Sequence, residues 1–195
     1  MLQRYFNKVV CLNQKERPDR WQQFEVEAKR IGLVADRFFS VSHENPFQSF
    51  CYSQLDIITL NQHEGSVLTL EDDVIFKSLS HFDEAFSELP EDWDILYLGA
   101  NVMNHLPHSK HLRRVLSAWT THAIAYRSRV MQMIATQYKG WEVHGMYDDW
   151  LSREIIPNCK AYVISPMCAW QRDGRSDMWG SWTSYGWMEM EKRLL

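Results

Sequence analysis

The chain is short of the features that announce a specialised protein. No apolar run approaches membrane-spanning length, and Met1-Leu2-Gln3-Arg4-Tyr5-Phe6-Asn7-Lys8 lacks the apolar core of a signal peptide, so the expectation is a soluble cytoplasmic protein. Its four cysteines, Cys11, Cys51, Cys159 and Cys168, show no C-x-x-C spacing; this disfavours a zinc knuckle and reads as buried thiols in a reducing compartment. No block of Lys or Arg accompanies the aromatics and the net charge is -4, which argues against nucleic acid as a partner. Internal repeats and low-complexity segments are also missing. Nothing in the sequence bears on oligomeric state.

What is there is a core. With 195 residues and 45% hydrophobic content the chain can bury a full interior, and one domain over 1–195 is expected. Nine tryptophans are many for this length. They thicken toward the end at Trp170, Trp179, Trp182 and Trp187; most are expected in the core, with one or two stacked on a ligand.

Short apolar runs alternate with helical stripes. Val9-Val10-Cys11-Leu12 reads as a buried strand, and Pro18 opens a helix that carries Trp21, Phe24, Ala28 and Ile31 and closes at Gly32. A strand is expected over 34–41, a helix over 48–62 and a strand from Ser66. Ser78 to His81 resembles a helix start, with Phe82, Phe86 and Leu89 as the stripe and Pro90 as the stop. Further strands are expected over 94–99, 120–126 and 160–164, a helix over 128–137, and a short amphipathic helix over 189–195. Strand, turn, helix, strand is a βαβ unit, and ligands of such sheets bind outside the carboxyl ends of the strands. The fold class is therefore α/β, a Rossmann-type sheet flanked by helices.

The stretch Ser66-Val67-Leu68-Thr69-Leu70-Glu71-Asp72-Asp73-Val74 closes a buried strand with three successive carboxylates. Such a run at the edge of a core is costly unless a positive charge compensates it, and hard oxygen ligands favour Mg²⁺ or Mn²⁺ bridged to substrate phosphates. Alternation along a strand puts Glu71 and Asp73 on one face, as metal ligands, and Asp72 on the other. The polar loop from Asn13 to Arg20 follows the first strand and is placed to meet a nucleotide, with Arg17 or Arg20 on phosphate or base. Gln171-Arg172-Asp173-Gly174-Arg175-Ser176-Asp177 is a glycine-containing loop able to close over phosphates, which adds Gln171 and Ser176, with Asp72, to the cofactor-binding set. Asp148 and Asp149 stand before an apolar helix and are candidate general bases for an attacking hydroxyl. Residues 101–110 hold His105 and His108, with His111 just beyond, and read as a loop near the site because Pro107 interrupts them.

Several separated pieces together resemble glycosyltransferase family 25, the bacterial lipooligosaccharide and procollagen galactosyltransferase-like group. They are Leu12 with Arg17-Pro18-Asp19-Arg20-Trp21, Phe50-Cys51-Tyr52-Ser53, Leu70-Glu71-Asp72-Asp73-Val74, Trp93-Asp94-Ile95-Leu96-Tyr97-Leu98-Gly99, Ala125-Tyr126, Asp148 with Leu151, and Gln171 followed by Ser176-Asp177. They run in the family's order. The resemblance implies a GT-A fold, a UDP-linked nucleotide-sugar donor such as UDP-galactose, a glycan-type acceptor, a divalent metal, inversion at the anomeric carbon and a place in lipopolysaccharide biosynthesis. Carried over, Glu71 and Asp73 take the acidic metal motif, Arg17, Asp19 and Arg20 lie at the donor nucleotide, and Asp148 faces the acceptor. One departure is plain: the family commonly has Ser-His where this chain has Ser53-Gln54. That substitution is the best support for a rival reading, a degenerate relative that only binds carbohydrate. A second rival, a Mg²⁺-dependent phosphotransferase, lacks a good nucleophile, since Glu71 stands where an aspartate would be needed.

Overall fold

Apolar residues fall at alternate positions along the strands, and the two faces they define carry separate cores. In the computed structural model, which describes residues 2–186, Val9 and Cys11 of the first strand join one cluster while Val10 and Leu12 join the other. The terminal helix expected over 189–195, and Trp187, lie outside the described residues.

After a 3₁₀ turn at Leu2–Tyr5 come β1 (Lys8–Asn13), α1 (Pro18–Ile31), β2 (Asp36–Phe39), α2 (Pro46–Asn61) and β3 (Ser66–Glu71). A tight turn leads to β4 (Val74–Phe76), then α3 (Phe82–Ser87), β5 (Ile95–Pro107), β6 (Leu112–Arg127) and α4 (Ser128–Gln137). Short helices α5 (Trp141–His144) and α6 (Tyr147–Trp150) precede a π-helical turn at Leu151–Ile155 and a 3₁₀ turn at Ile156–Asn158. Strands β7 (Ala161–Ile164), β8 (Ala169–Gln171), β9 (Gly174–Arg175) and β10 (Trp182–Thr183) complete the described chain. The main sheet is mixed, in the order β2-β1-β3-β6-β5-β7, with β1 parallel to β2 and β3, β5 parallel to β7, and β6 antiparallel to its neighbours. Two ribbons, β4–β8 and β9–β10, sit beside it. A mixed sheet with helices on both faces is the α/β architecture read from the sequence.

Local chemistry explains the helix ends. Gly32 takes the left-handed cap of α1 at φ 65°, and the Leu33 N–H bonds Ala28 O at 2.8 Å. Asn45 caps α2 through Oδ1, which accepts from Phe47 N at 2.9 Å, and Pro46 supplies the preset first turn, so this helix starts two residues earlier than its apolar pattern suggests. Phe24 and Ala28 of α1 pack on one face of the sheet; Cys51, Ile57 and Ile58 of α2, with Val130, Met131 and Ile134 of α4, cover the other. Burying Phe24 alone contributes about 1.5–3 kcal/mol.

Three expectations are corrected. Residues 101–107 are not a loop: β5 runs through them to Pro107, pairing with β6 from Asn101↔Trp119 to Pro107↔Arg113 across several bulges. Pro107 is tolerated because it is the last residue of the strand, and β6 begins correspondingly early, at Leu112 rather than Thr120. The strand expected over 34–41 shortens to Asp36–Phe39. The helix expected to start near Ser78 begins at Phe82.

Packing leaves no room for a side chain at Gly99. A Cβ there would lie 1.9 Å from the Ala169 carbonyl oxygen of β8, so β5 and the β4–β8 ribbon approach only with hydrogen at this position.

Candidate active site

The parallel strands β1 and β3 end side by side, with Leu12 opposite Glu71. Chain leaving β1 goes through α1 to β2 at one edge of the sheet, whereas chain leaving β3 goes through β4 and α3 to β5, in the other direction across the sheet. This switch point is where open α/β sheets hold ligands.

Asn13, the last residue of β1, is 1% exposed and ties three segments together. Its Oδ1 accepts from Arg37 Nε at 3.0 Å and Nη2 at 2.5 Å, and its Nδ2 donates to Asp72 Oδ2 at 2.6 Å and to the Arg17 carbonyl at 3.1 Å. Both donors and the acceptor of the amide are engaged within the protein. Arg37 in turn lies between the rings of Trp21 and Phe39, at 4.7 and 4.6 Å from their centroids.

Strand β3 stops at Glu71, so alternation does not govern the next two residues. Asp72 and Asp73 form the turn to β4, and all three acids line one polar cavity of about 90 Å³ with Asn13, Arg20 and Gln171; Asp72 does not point to the opposite face. Arg20 holds the group together: its Nη1 is 3.2 Å from Asp72 and 3.9 Å from Asp73. Burial, and then the neighbouring Asp72 charge, raises Asp73 to about 6. Burial and the charge of Asp73 push Glu71 well above the usual carboxylate range, and burial also raises Asp72 against the pull of Asn13 and Arg20. Glu71 is steadied from behind by a chain in which Gln54 Nε2 donates to Thr121 Oγ1 at 3.4 Å and Thr121 Oγ1 donates to Glu71 Oε1 at 3.1 Å.

Two buried oxygens here, Asp73 Oδ1 and Gln171 Oε1, have no hydrogen-bond partner among the described residues. Uncompensated acceptors beside carboxylates that resist ionisation suit a hard cation. Among the described residues no three His, Cys, Asp or Glu side chains converge as a ready metal cluster. An ion would therefore rest on one or two carboxylates plus other oxygens, the habit of Mg²⁺ and Mn²⁺.

A second, larger cavity of about 490 Å³ opens on the other side of Glu71. Exposed Trp119 and Trp179 flank it, and Asp148 and Asp149 lie in its wall. The two acids differ. Asp148 accepts from Thr120 N at 3.1 Å and from Asp149 N at 2.9 Å, and burial raises its proton affinity above that of an ordinary carboxylate. Asp149 instead pairs with Arg153 at 3.1 Å, its side chain 47% exposed. Thr120 adopts φ 69°, unusual for a β-branched residue, and in that conformation its N–H meets Asp148. A π-helical turn follows directly after α6, another irregularity of a kind found near functional sites.

Of the sequence candidates, Asn13, Arg20, Glu71, Asp72, Asp73, Gln171 and Ser176 line the first cavity. Asp148 and Asp149 line the second. Arg17 faces a neighbouring cavity, and Asp19, held near 2 by Arg17, lies outside all three. Glu71, Gln171, Phe50, Met178 and Tyr185 border both main cavities. Thr121, Tyr185 and Trp119 carry no site signal in the sequence, apart from the Thr120-Thr121 pair, which opens an apolar run and marks a polar strand end. Tyr185 sits against the acids, and burial with the charges of Asp73 and Glu71 raises its hydroxyl to about 12. Gln54, at the departure from the family pattern, lies in neither cavity wall and touches the site through Thr121.

No protein-family model matches the chain, and no curated protein matches its sequence. Solved structures do match. A197 from STIV superposes with a TM-score of 0.54 at 9% identity, covering 84% of this chain and 85% of that one. A glycosyltransferase involved in glycosylation of the major capsid of PBCV-1 gives 0.52 at 9%, covering 80% and 79%. A Drosophila β1,4-galactosyltransferase 7 variant, solved with manganese, UDP-galactose and xylobiose, gives 0.51 at 12%, covering 95% and 79%. The chain has a GT-A-like fold, shared with these structures. At these identities the likeness is one of fold.

Proposed function

We propose that the protein is a glycosyltransferase that moves a sugar from a nucleotide-sugar, UDP-linked such as UDP-galactose, to a hydroxyl of a glycan-type acceptor with inversion. The observation that carries this reading is the partition at Glu71. On one side lies a polar cavity with paired acids and Arg20; on the other lies an aromatic cavity holding a half-buried carboxylate of raised proton affinity, Asp148.

The donor's diphosphate belongs on the Arg17–Arg20 side, where guanidinium groups match phosphate geometry. Glu71 and Asp73 would hold Mn²⁺ or Mg²⁺, which when bound neutralises charge growing on the leaving diphosphate. In a single displacement the acceptor oxygen attacks the anomeric carbon as the bond to the diphosphate breaks, the electron pair leaves with the phosphate oxygen, and Asp148 takes the hydroxyl proton. Trp119 and Trp179 supply aromatic faces for a sugar ring. The residues quoted for family 25 support placing the protein beside that family and in lipopolysaccharide biosynthesis, and four free, buried cysteines suit a reducing cytoplasm.

A thermal-shift screen of nucleotide-sugars with and without Mn²⁺ tests the reading. A ligand at about 100 times its Kd stabilises the folded state by about 2.7 kcal/mol, so a UDP-sugar that binds only with the ion gives a clear shift. No shift from any nucleotide-sugar, alongside binding of free glycans, would favour the carbohydrate-binding rival.

A further inference from the structure

We propose that Arg17, Arg20, Arg172 and Arg175 form a diphosphate-binding cradle whose Arg17 is engaged by Asp177 in the free protein, so that an incoming diphosphate must displace the hairpin carrying this aspartate. The inference deepens the reading above and rests on it only for what the diphosphate is attached to.

The four arginines line a cavity of about 300 Å³ between the start of α1 and strand β9, together with Asp73, Asp173, Gln23 and exposed Trp182. Asp177 reaches toward it from the tip of the β9–β10 hairpin. Both of its carboxylate oxygens lie on Arg17 Nη1, at 2.8 and 2.7 Å, and Arg20 Nη1 is 3.9 Å away. A phosphate placed there would compete with this carboxylate for the same guanidinium. Arg172 and Arg175 join no ion pair among the described residues; Arg172 donates to Gln23 Oε1 at 2.6 Å. Asp73 and Asp173 line the same cavity and Asp19 also pairs with Arg17 at 2.9 Å, so the cations there that join no ion pair among the described residues are Arg172 and Arg175.

The adjoining polar cavity gives the second argument. It measures about 90 Å³, against roughly 300–1,000 Å³ for pockets that hold small-molecule ligands, and Ser176, Asp177 and Met178 are part of its wall. That volume is small for a nucleoside diphosphate, and the hairpin carries this part of the wall.

The hairpin is built to move. Two paired residues per strand give it little stability of its own. It is closed by Ser176 N to Ser181 O and Gly180 N to Ser176 O, both 2.9 Å, and is tethered to α1 by Asp177 on Arg17 and by Arg20 Nη2 on the Arg175 carbonyl at 2.6 Å. Its Met178 and Trp179 line the aromatic cavity, so displacement on the diphosphate side also reshapes the acceptor side.

The test is calorimetric titration of inorganic pyrophosphate in EDTA, which keeps any metal out of the comparison. Asp177→Asn is expected to bind about three- to tenfold more tightly than wild type, a change of roughly 0.7–1.4 kcal/mol. Arg172→Gln and Arg175→Gln are expected to bind several-fold more weakly, with circular dichroism reporting an intact fold. Asp83→Asn, which removes the same charge from a surface pair with Arg4, is the control and is expected to leave affinity unchanged. Equal or weaker binding by Asp177→Asn, or an equal gain from Asp83→Asn, would overturn the proposal. If UDP-sugars turn over but Asp177→Asn binds pyrophosphate no tighter, the displaced hairpin fails and the transferase stands. If Asp177→Asn binds pyrophosphate more tightly but no nucleotide-sugar turns over, the displaced hairpin stands and the transferase fails.

Discussion

The Thr121 hydroxyl donates to Glu71 Oε1 at 3.1 Å, joining the middle of β6 to the end of β3. This is the only side-chain hydrogen bond to Glu71 found among the described residues, and Gln54 supplies the hydroxyl with its own donor. Thr121→Val removes it while keeping the shape. Unmaking a hydrogen bond to a buried group costs about 1–3 kcal/mol, so we expect Mn²⁺ affinity to fall roughly tenfold and Thr121→Ser to restore it. Metal titration followed by thermal shift measures both.

Asp148→Asn is expected to lower kcat about 10²- to 10⁴-fold while leaving nucleotide-sugar binding intact, since it removes only the proton acceptor. Asp149→Asn is expected to change kcat by about twofold or less, because an exposed pair such as Asp149–Arg153 contributes little. Steady-state kinetics with matched donor titrations separates the two.

Raised proton affinity at Asp73 makes stability depend on pH in a known direction. Between the ordinary carboxylate value of 3.8 and about 6 the folded state keeps a proton that the unfolded chain releases, so this group's contribution falls as pH rises and levels off above about 6. Asp73→Asn lacks that loss. Its stability relative to wild type should climb from about pH 4 to about pH 6 and then stay flat, as read from urea unfolding across pH. A flat difference throughout would show that Asp73 ionises freely in the folded protein.

Trp119→Ala and Trp179→Ala each remove an aromatic face worth about 0.5–1.5 kcal/mol beyond buried area, so acceptor KM should rise about three- to tenfold with donor KM nearly constant for Trp119→Ala. Trp179 lies on the hairpin bearing Asp177, and its replacement should disturb donor KM as well.

Periodicity carried most of the fold. The runs at Val9 to Leu12 and from Ser66, the stripe of α1 and the Val130, Met133, Ile134 face of α4 are local patterns, and each formed the element it implied. Residues 101–107 were opaque because Asn101, Asn104, His105 and Pro107 carry no strand alternation; pairing with β6, not propensity, makes them extended. The same limit applied to the site. Asn13, Arg20 and the acids announce themselves as polar groups at strand ends, whereas Thr121 meets Glu71 only because β6 pairs with β3 in the register Leu70↔Ala123. Alternation misplaced Asp72 because the strand had already ended. Tyr185 reaches the acids from far along the chain, and no spacing encodes that.

The bare backbone at Gly99 carries weight well beyond its own strand. Alanine there would drive a methyl group into the Ala169 carbonyl, and Ala169 lies two residues before Gln171, which lines the cavity with the acids. Pushing that ribbon outward would move Gln171 away from the acids and change both cavities it borders. A change invisible from either cavity would thus surface as a defect in catalysis, which makes this position a sentinel for how closely the sheet must be drawn together before chemistry can begin.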